Sequence, residues 1–240
     1  CHGSFLTHYR KSNMRNYKDQ IDRILLDIEH PSRYTNSELY VKAGAGDKPD
    51  FTQETDVNFC MCYPDMYEIG QSNQAVRILC NRVNNAQCAD FSMSAQRAYL
   101  PAPDMIAKMR EDNIELFSLE TKSPLRDFDC IGITMPHELA ATNILELISL
   151  SGMEICSQDR KDTDPIIIAG GPCSYNPEPY AQVIDVFFIG EGEEGIVEVL
   201  QIIAAAKKEC LSKTKTLEKL DTLDYLYIPE LFVRARSLEH

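Results

Sequence analysis

Residues 165–207 read PIIIAGGPCSYNPEPYAQVIDVFFIGEGEEGIVEVLQIIAAAK, and this stretch decides the fold. The apolar run at 165–169 reads as a buried strand, closed by Gly170 and Gly171. A second run at 183–189 reads as another strand. After Gly190-Glu191-Gly192-Glu193 the apolar residues take helical spacing from Gly195 to about Lys207. Working outward, residues 129–135 (DCIGITM) predict a strand, and 138–150 a helix carrying Leu139, Ile144, Leu145, Leu147 and Ile148. Further upstream, strand-like runs at 57–63, 88–93 and 114–119 are separated by helical spacing, first at Ala75, Ile78, Leu79 and Val83 and then around 105–109. A helix over 14–30, with Ile21, Ile24, Leu25 and Ile28 on one stripe, ends at Pro31. Apolar strands alternating with amphipathic helices imply a mainly parallel sheet covered on both faces. The expected fold is therefore α/β, a flavodoxin-like (Rossmann-type) doubly wound sheet with an N-terminal helical extension.

The expected boundaries are a leader at 1–13, an extension at 14–55, the α/β domain at 56–210 and a linker at 211–240. The last four residues, Ser237-Leu238-Glu239-His240, resemble an affinity-tag remnant. The 240 residues are 44% hydrophobic and 25% charged, which suits a globular protein and excludes a disordered one. With 24 basic against 37 acidic side chains the net charge is -13, a field that disfavours broad non-specific nucleic-acid binding. The basic runs Arg10, Lys11, Arg15, Lys18 and Lys207, Lys208, Lys213, Lys215 read as solvated faces. No apolar run approaches the roughly 20 residues of a membrane helix, so no membrane contact is expected.

Nine cysteines, at 1, 60, 62, 80, 88, 130, 156, 173 and 210, form no compact framework, and a reducing cytoplasmic location is expected. They contain neither a C-x-x-C pair nor the C-x-x-x-C-x-x-C triplet that holds a reactive iron–sulfur cluster. Cys60 and Cys62 would share one strand face and read as buried thiols rather than metal ligands. No G-x-G-x-x-G loop follows the first strand, and no G-x-S-x-G or H-E-x-x-H string occurs, which sets aside a dinucleotide domain and the common hydrolases.

Parallel α/β sheets bind ligands beyond the carboxyl ends of their strands. Those ends carry Asp65, Tyr67, Glu68 and Gly70 after 57–63, and Thr134, Pro136 and His137 after 129–135. Gly170, Gly171 and Pro172 follow the next strand, and Gly190, Glu191, Gly192 and Glu193 the last. Glycine there lets a ligand approach the backbone, and several such loops on one edge suggest a large, flat or extended ligand. Acidic residues at a helix start are favoured by the helix dipole whatever the chemistry, so Glu191 and Glu193 read as structural or interdomain rather than as an acid–base pair.

The strings PSRYTNSELY, CYPDMYEIGQSN and AGGPCSYNPEPYAQVIDVFFIGEGEE, with LDYLYIPELF near the end, resemble the N-terminal region of large radical SAM proteins. In that family a cobalamin-binding-type Rossmann domain is fused to a radical S-adenosylmethionine barrel. The likeness spans about 28–232. It implies cobalamin as a cofactor of this domain, with a 4Fe-4S cluster and S-adenosylmethionine carried only by the barrel of the full-length protein, which would be the partner. Cobalamin domains of this type carry D-x-H-x-x-G, whose histidine binds cobalt with the aspartate behind it. Here the string is Asp65-Met66-Tyr67-Glu68-Ile69-Gly70, so Tyr67 stands at the ligand position, and a phenol is a poor neutral ligand at pH 7. The resemblance implies that bound cobalt lacks a histidine from this motif, that Thr134 bonds the displaced nucleotide base, and that Gly170 and Gly171 make room for the nucleotide tail. Arg33, Tyr34 and Glu38 would anchor the extension. Lacking the cysteine triplet, the chain alone should be inactive. The alternative is a degenerate Rossmann module that has lost cobalamin and serves protein or RNA docking.

Overall fold

The computed structural model describes residues 17–37 and 54–232. Strands β1 (Val57–Tyr63), β2 (Met93–Tyr99), β3 (Cys130–Thr134), β4 (Ile166–Gly170), β5 (Val186–Phe188) and β6 (Leu226–Tyr227) form one sheet in the order β2-β1-β3-β4-β5-β6. The first five run parallel, and β6 joins β5 antiparallel through Phe187↔Tyr227 and Phe188↔Leu226. This is the flavodoxin order, in which the chain reverses direction across the sheet between β1 and β3, and a crevice opens at their carboxyl ends.

Helices α1 (Lys18–Ile24), α2 (Tyr67–Ser72), α3 (Gln74–Asn84), α4 (Pro103–Glu111), α5 (Ala141–Leu150), α6 (Gly192–Lys208) and α7 (Lys213–Leu220) connect and cover the strands. Alternate strand residues serve two cores. Cys60, Cys62, Ile131, Ile133, Ile167 and Phe187 pack with α1, α4 and α5. Phe59, Met61, Cys130, Ile168 and Phe188 pack with α3, α6 and α7. Each large apolar side chain so buried contributes roughly 1.5–3 kcal/mol. None of the helices among the described residues is long and apolar enough to cross a membrane.

Two of the expected strands are corrected. Residues 88–92 are irregular, and the strand there begins at Met93 and runs to Tyr99. Residues 114–119 form no strand, because their amides pair singly with four different partners: Ile114 N–H with the Met109 carbonyl, Leu116 N–H with that of Leu150, Ser118 N–H with Ser123, and Leu119 N–H with Arg97. The expected long N-terminal helix is shorter: α1 spans seven residues, and a 3₁₀ turn at Pro31–Tyr34 follows.

β2 is an edge strand, and such strands expose unpaired backbone groups. Here side chains satisfy those of Ala95 and the Arg97 amide. Ala95 N–H donates to Asn84 Oδ1 at 2.7 Å and Asn84 Nδ2 donates to the Ala95 carbonyl at 3.0 Å. Arg97 N–H donates to Glu120 Oε2 at 2.7 Å, while Arg97 Nε reaches Glu120 Oε1 at 2.8 Å. Arg97 is only 4% exposed.

The extension is fastened where the family-like string predicted. The Ala102 N–H donates to Tyr34 Oη at 3.0 Å, and Arg33 Nε pairs with Glu68 Oε1 at 2.6 Å. Glu38 lies outside the described residues. Lys207, Lys208 and Lys213 are not merely a solvated face: each pairs with a carboxylate, Asp129, Asp56 and Asp185 respectively.

Candidate functional site

A cavity of about 220 Å³ opens at the carboxyl edge, between the sheet and helices α3 and α6. Its wall is Phe59 and Met61 from β1, Gly132 and Thr134 from β3, Ile168 and Gly170 from β4, and Phe188 from β5. Those pairs follow the two-residue period of one sheet face. Ala75 and Leu79 of α3 and Ile196 of α6 close the other side, and Gly171 with Gly190 through Glu193 form the rim. The volume falls below the roughly 300–1,000 Å³ of pockets that engulf a whole ligand. It suits one flat ring system, with the rest of a larger molecule left outside.

The backbone around the rim is built for this opening. Gly171 has φ +118° and Gly190 φ +129°, values that side chains rarely tolerate, and a Cβ at Gly171 would meet the Met135 carbonyl at 3.0 Å. Gly170 and Gly132 leave room in the sheet face itself. A Cβ at Gly132 would fall 2.6 Å from Phe59 Cζ and 2.8 Å from Met61 Sδ, so those two side chains lie across the missing position. The Ser174 hydroxyl, 2.7 Å from the Gly171 carbonyl and 2.9 Å from that of Phe188, ties the β4 loop to the end of β5.

One polar side-chain atom stands out in this apolar wall. Thr134 is 5% exposed, and its Oγ1 has no hydrogen-bond partner among the described residues. A buried hydroxyl left unpaired costs on the order of 1–3 kcal/mol, which a ligand acceptor would relieve.

Of the residues singled out in the sequence, Thr134, Gly170, Gly171, Gly190, Glu191 and Gly192 thus meet around one cavity. Asp65, Tyr67, Glu68, Gly70 and Pro172 do not line it. The Tyr67 ring packs edge-on against Tyr99, centroids 5.3 Å apart, in a small crevice toward the β2 edge that also contains Arg33 and Tyr34. Gly70 lets α2 approach the same ring, since a Cβ there would be 2.4 Å from Tyr99 Cδ1. Asp65 Oδ1 accepts the Met66 N–H at 2.7 Å, and Glu68 is held by Arg33, which lowers its pKa chiefly through that hydrogen bond. Pro172, itself exposed, opens the 3₁₀ turn Pro172–Tyr175. His137 is exposed just before Glu138–Ala140. Glu191 precedes α6 and makes no side-chain cap, and the Glu193 carbonyl accepts from Arg82 Nε at 3.2 Å.

Sequence reasoning missed Gly132, Phe59, Met61 and Leu79. A glycine two residues before Thr134 on a buried strand was the available signal. Cys60 and Cys62 do share a face, with sulfurs 4.0 Å apart, and burial pushes the Cys60, Cys80 and Cys130 thiols up.

Residues 68–229 match the family described as "Radical SAM proteins, N-terminal". The chain is also similar to an uncharacterized protein, MJ0966, of Methanocaldococcus jannaschii. The two are 28% identical over 149 residues, which is 61% of this chain and 26% of the relative. The chain thus spans about a quarter of the length of that relative. No solved structure matches.

Proposed function

The chain belongs to the N-terminal family of radical SAM proteins, and from that premise we propose that it is the corrinoid-holding domain of a longer radical SAM enzyme, its carboxyl-edge cavity receiving the nucleotide tail of cobalamin. The observation that carries this reading is the carboxyl-edge cavity itself, sized for one ring system, with Thr134 on its wall and glycines at its rim. Thr134 would donate to the tail's base, and Gly170, Gly171 and Gly190 would let the tail pass the strand ends. Bound cobalamin supplies methyl-transfer or one-electron chemistry at cobalt. Tyr67, packed on Tyr99 and outside the cavity lining, would take no part in holding the group, and the motif has no histidine to offer it. The S-adenosylmethionine and the 4Fe-4S cluster belong to the barrel of the longer protein.

The test is titration of the chain with hydroxocobalamin, followed by desalting. Retained corrinoid with a spectrum shifted to the base-off form is the expected result, because the cavity would hold the base. Gly170→Trp, which projects a large ring into the cavity past the ordinary contact with Phe188, should abolish retention. No retention by the unsubstituted chain at tens of micromolar would overturn the reading. A docking role draws support from the same edge, where Leu139 and Tyr175 are 87% and 72% exposed. Both would face the remainder of the longer protein.

A further inference from the structure

We propose that filling the carboxyl-edge cavity and seating the strand β6 are coupled, through a ring contact between Phe188 on the cavity wall and Tyr225 just before β6. The coupling goes beyond the corrinoid reading and rests on it only for the ligand. Phe188 lines the cavity, and its ring also packs on Tyr225 with centroids 4.9 Å apart. Gly195, in the first turn of α6, makes the pairing possible: a Cβ there would lie 2.6 Å from Phe188 Cζ and 2.8 Å from Tyr225 Cε2. Both rings therefore cross the same bare spot on α6. Tyr225 Oη donates to Glu198 Oε2 at 2.7 Å, further along the same helix, so the phenol is pinned from its far end. The backbones are joined as well: Ile189 N–H donates to the Tyr225 carbonyl at 2.8 Å, and Phe188 stands opposite Leu226 in the sheet.

These contacts give Phe188 two neighbours and little choice. A ring system seated in the cavity bars it from turning inward, which leaves the position against Tyr225. Tyr225 in turn bars it from turning outward, which preserves the wall that a ligand meets. Close-packed interiors switch between discrete arrangements rather than deforming smoothly, so each contact favours the other. Linkage then makes the effect reciprocal: a ligand tightens the segment by the factor by which the seated segment tightens the ligand. Tyr225 is thus a positioning residue, acting on the cavity through Phe188. β6 is the outermost strand on its flank, so a change in its seating surfaces at the end of the sheet opposite β2.

The experiment follows hydrogen exchange at the Ile189 amide by NMR, with and without saturating hydroxocobalamin, alongside equilibrium dialysis of the same corrinoid. Exchange should slow at least about fivefold on binding. In Tyr225→Ala the slowing should vanish, and hydroxocobalamin should bind more weakly by about the same factor. Tyr225→Phe keeps the ring against Phe188 and loses the bond to Glu198, so the slowing should persist. Slowing that survives in Tyr225→Ala, or corrinoid bound to the unsubstituted chain without slowing, would overturn the proposal. Failure of the corrinoid to bind would remove the preceding reading instead, and a tethered occupant then decides this one. Ala75→Phe fills the cavity from the wall facing the sheet, with Ala75→Leu as the milder form should the first not fold. Ile189 exchange slower than in the unsubstituted chain, with the difference lost on adding Tyr225→Ala, sustains the coupling. Unchanged or faster exchange overturns it.

Discussion

The two edges of the sheet are opposites. At the amino edge an aspartate stands just before each of four parallel strands, and every one is paired: Asp56 with Lys208, Asp129 with Lys207, Asp164 with Arg126, and Asp185 with Arg160 and Lys213. The same carboxylates collect backbone donors, among them Asn58 N–H on Asp129 and Ile167 N–H on Asp185. At the carboxyl edge glycines open the loops, large apolar side chains face solvent, and a buried hydroxyl lacks a partner. Paired charges gather at one end, and open glycine loops with a cavity at the other.

The sharpest way to break this comparison is at Asp185. Arg160, also bonded to the Val183 carbonyl, and Lys213 both depend on that carboxylate in a buried setting. Asp185→Ala should cost about 3–5 kcal/mol in urea unfolding, because two cations lose their counter-ion. If the loss is under about 1 kcal/mol, the amino edge is not the clamp described. Lys122 sharpens the contrast from a third place: a buried ammonium bonded to the Leu119 carbonyl at 2.6 Å rather than to a carboxylate, with its pKa lowered by burial to about 8. The native state then binds fewer protons than the unfolded one between about pH 8 and 10.5. Stability should rise by up to about 3 kcal/mol across that window. Lys122→Met should flatten the rise, and an unchanged slope in the variant would assign it elsewhere.

At the carboxyl edge smaller effects are expected. Gly132→Ala pushes on Phe59 and Met61, which should cost about 1–3 kcal/mol and narrow the cavity, weakening hydroxocobalamin retention. Retention at full strength would remove the floor of the cavity from the site. Tyr67→Phe keeps the ring contact with Tyr99 and should shift stability by less than about 0.5 kcal/mol. The spectrum of the bound corrinoid should be identical, and a changed spectrum would return Tyr67 to the cobalt.

The strands with continuous apolar runs were legible because both faces are buried, so β1, β3, β4 and β5 announce themselves in the residues 57–63, 130–134, 166–170 and 186–188. β2 was not, since Ser94, Gln96 and Arg97 are polar yet buried, held by partners scattered from Asn36 to Thr121. The run at 114–119 misled for the converse reason: it is apolar and mostly buried, but tertiary hydrogen bonds rather than a ladder take its amides. Within the site, glycines and Thr134 at strand ends were readable from position alone. The direction taken by Tyr67 and Glu68 was not, because it depends on Tyr99 and Arg33, distant in sequence.

The clamp that Asn84 and Glu120 place on β2 bears on how this chain associates. A strand whose outward amides already hold side chains cannot serve as a template for a foreign strand, so the sheet is sealed against lengthening on that flank without curling into a barrel. Assemblies built on that flank must then use loops and helix faces, and heating should make the chain lose its fold before it begins to polymerise through β2.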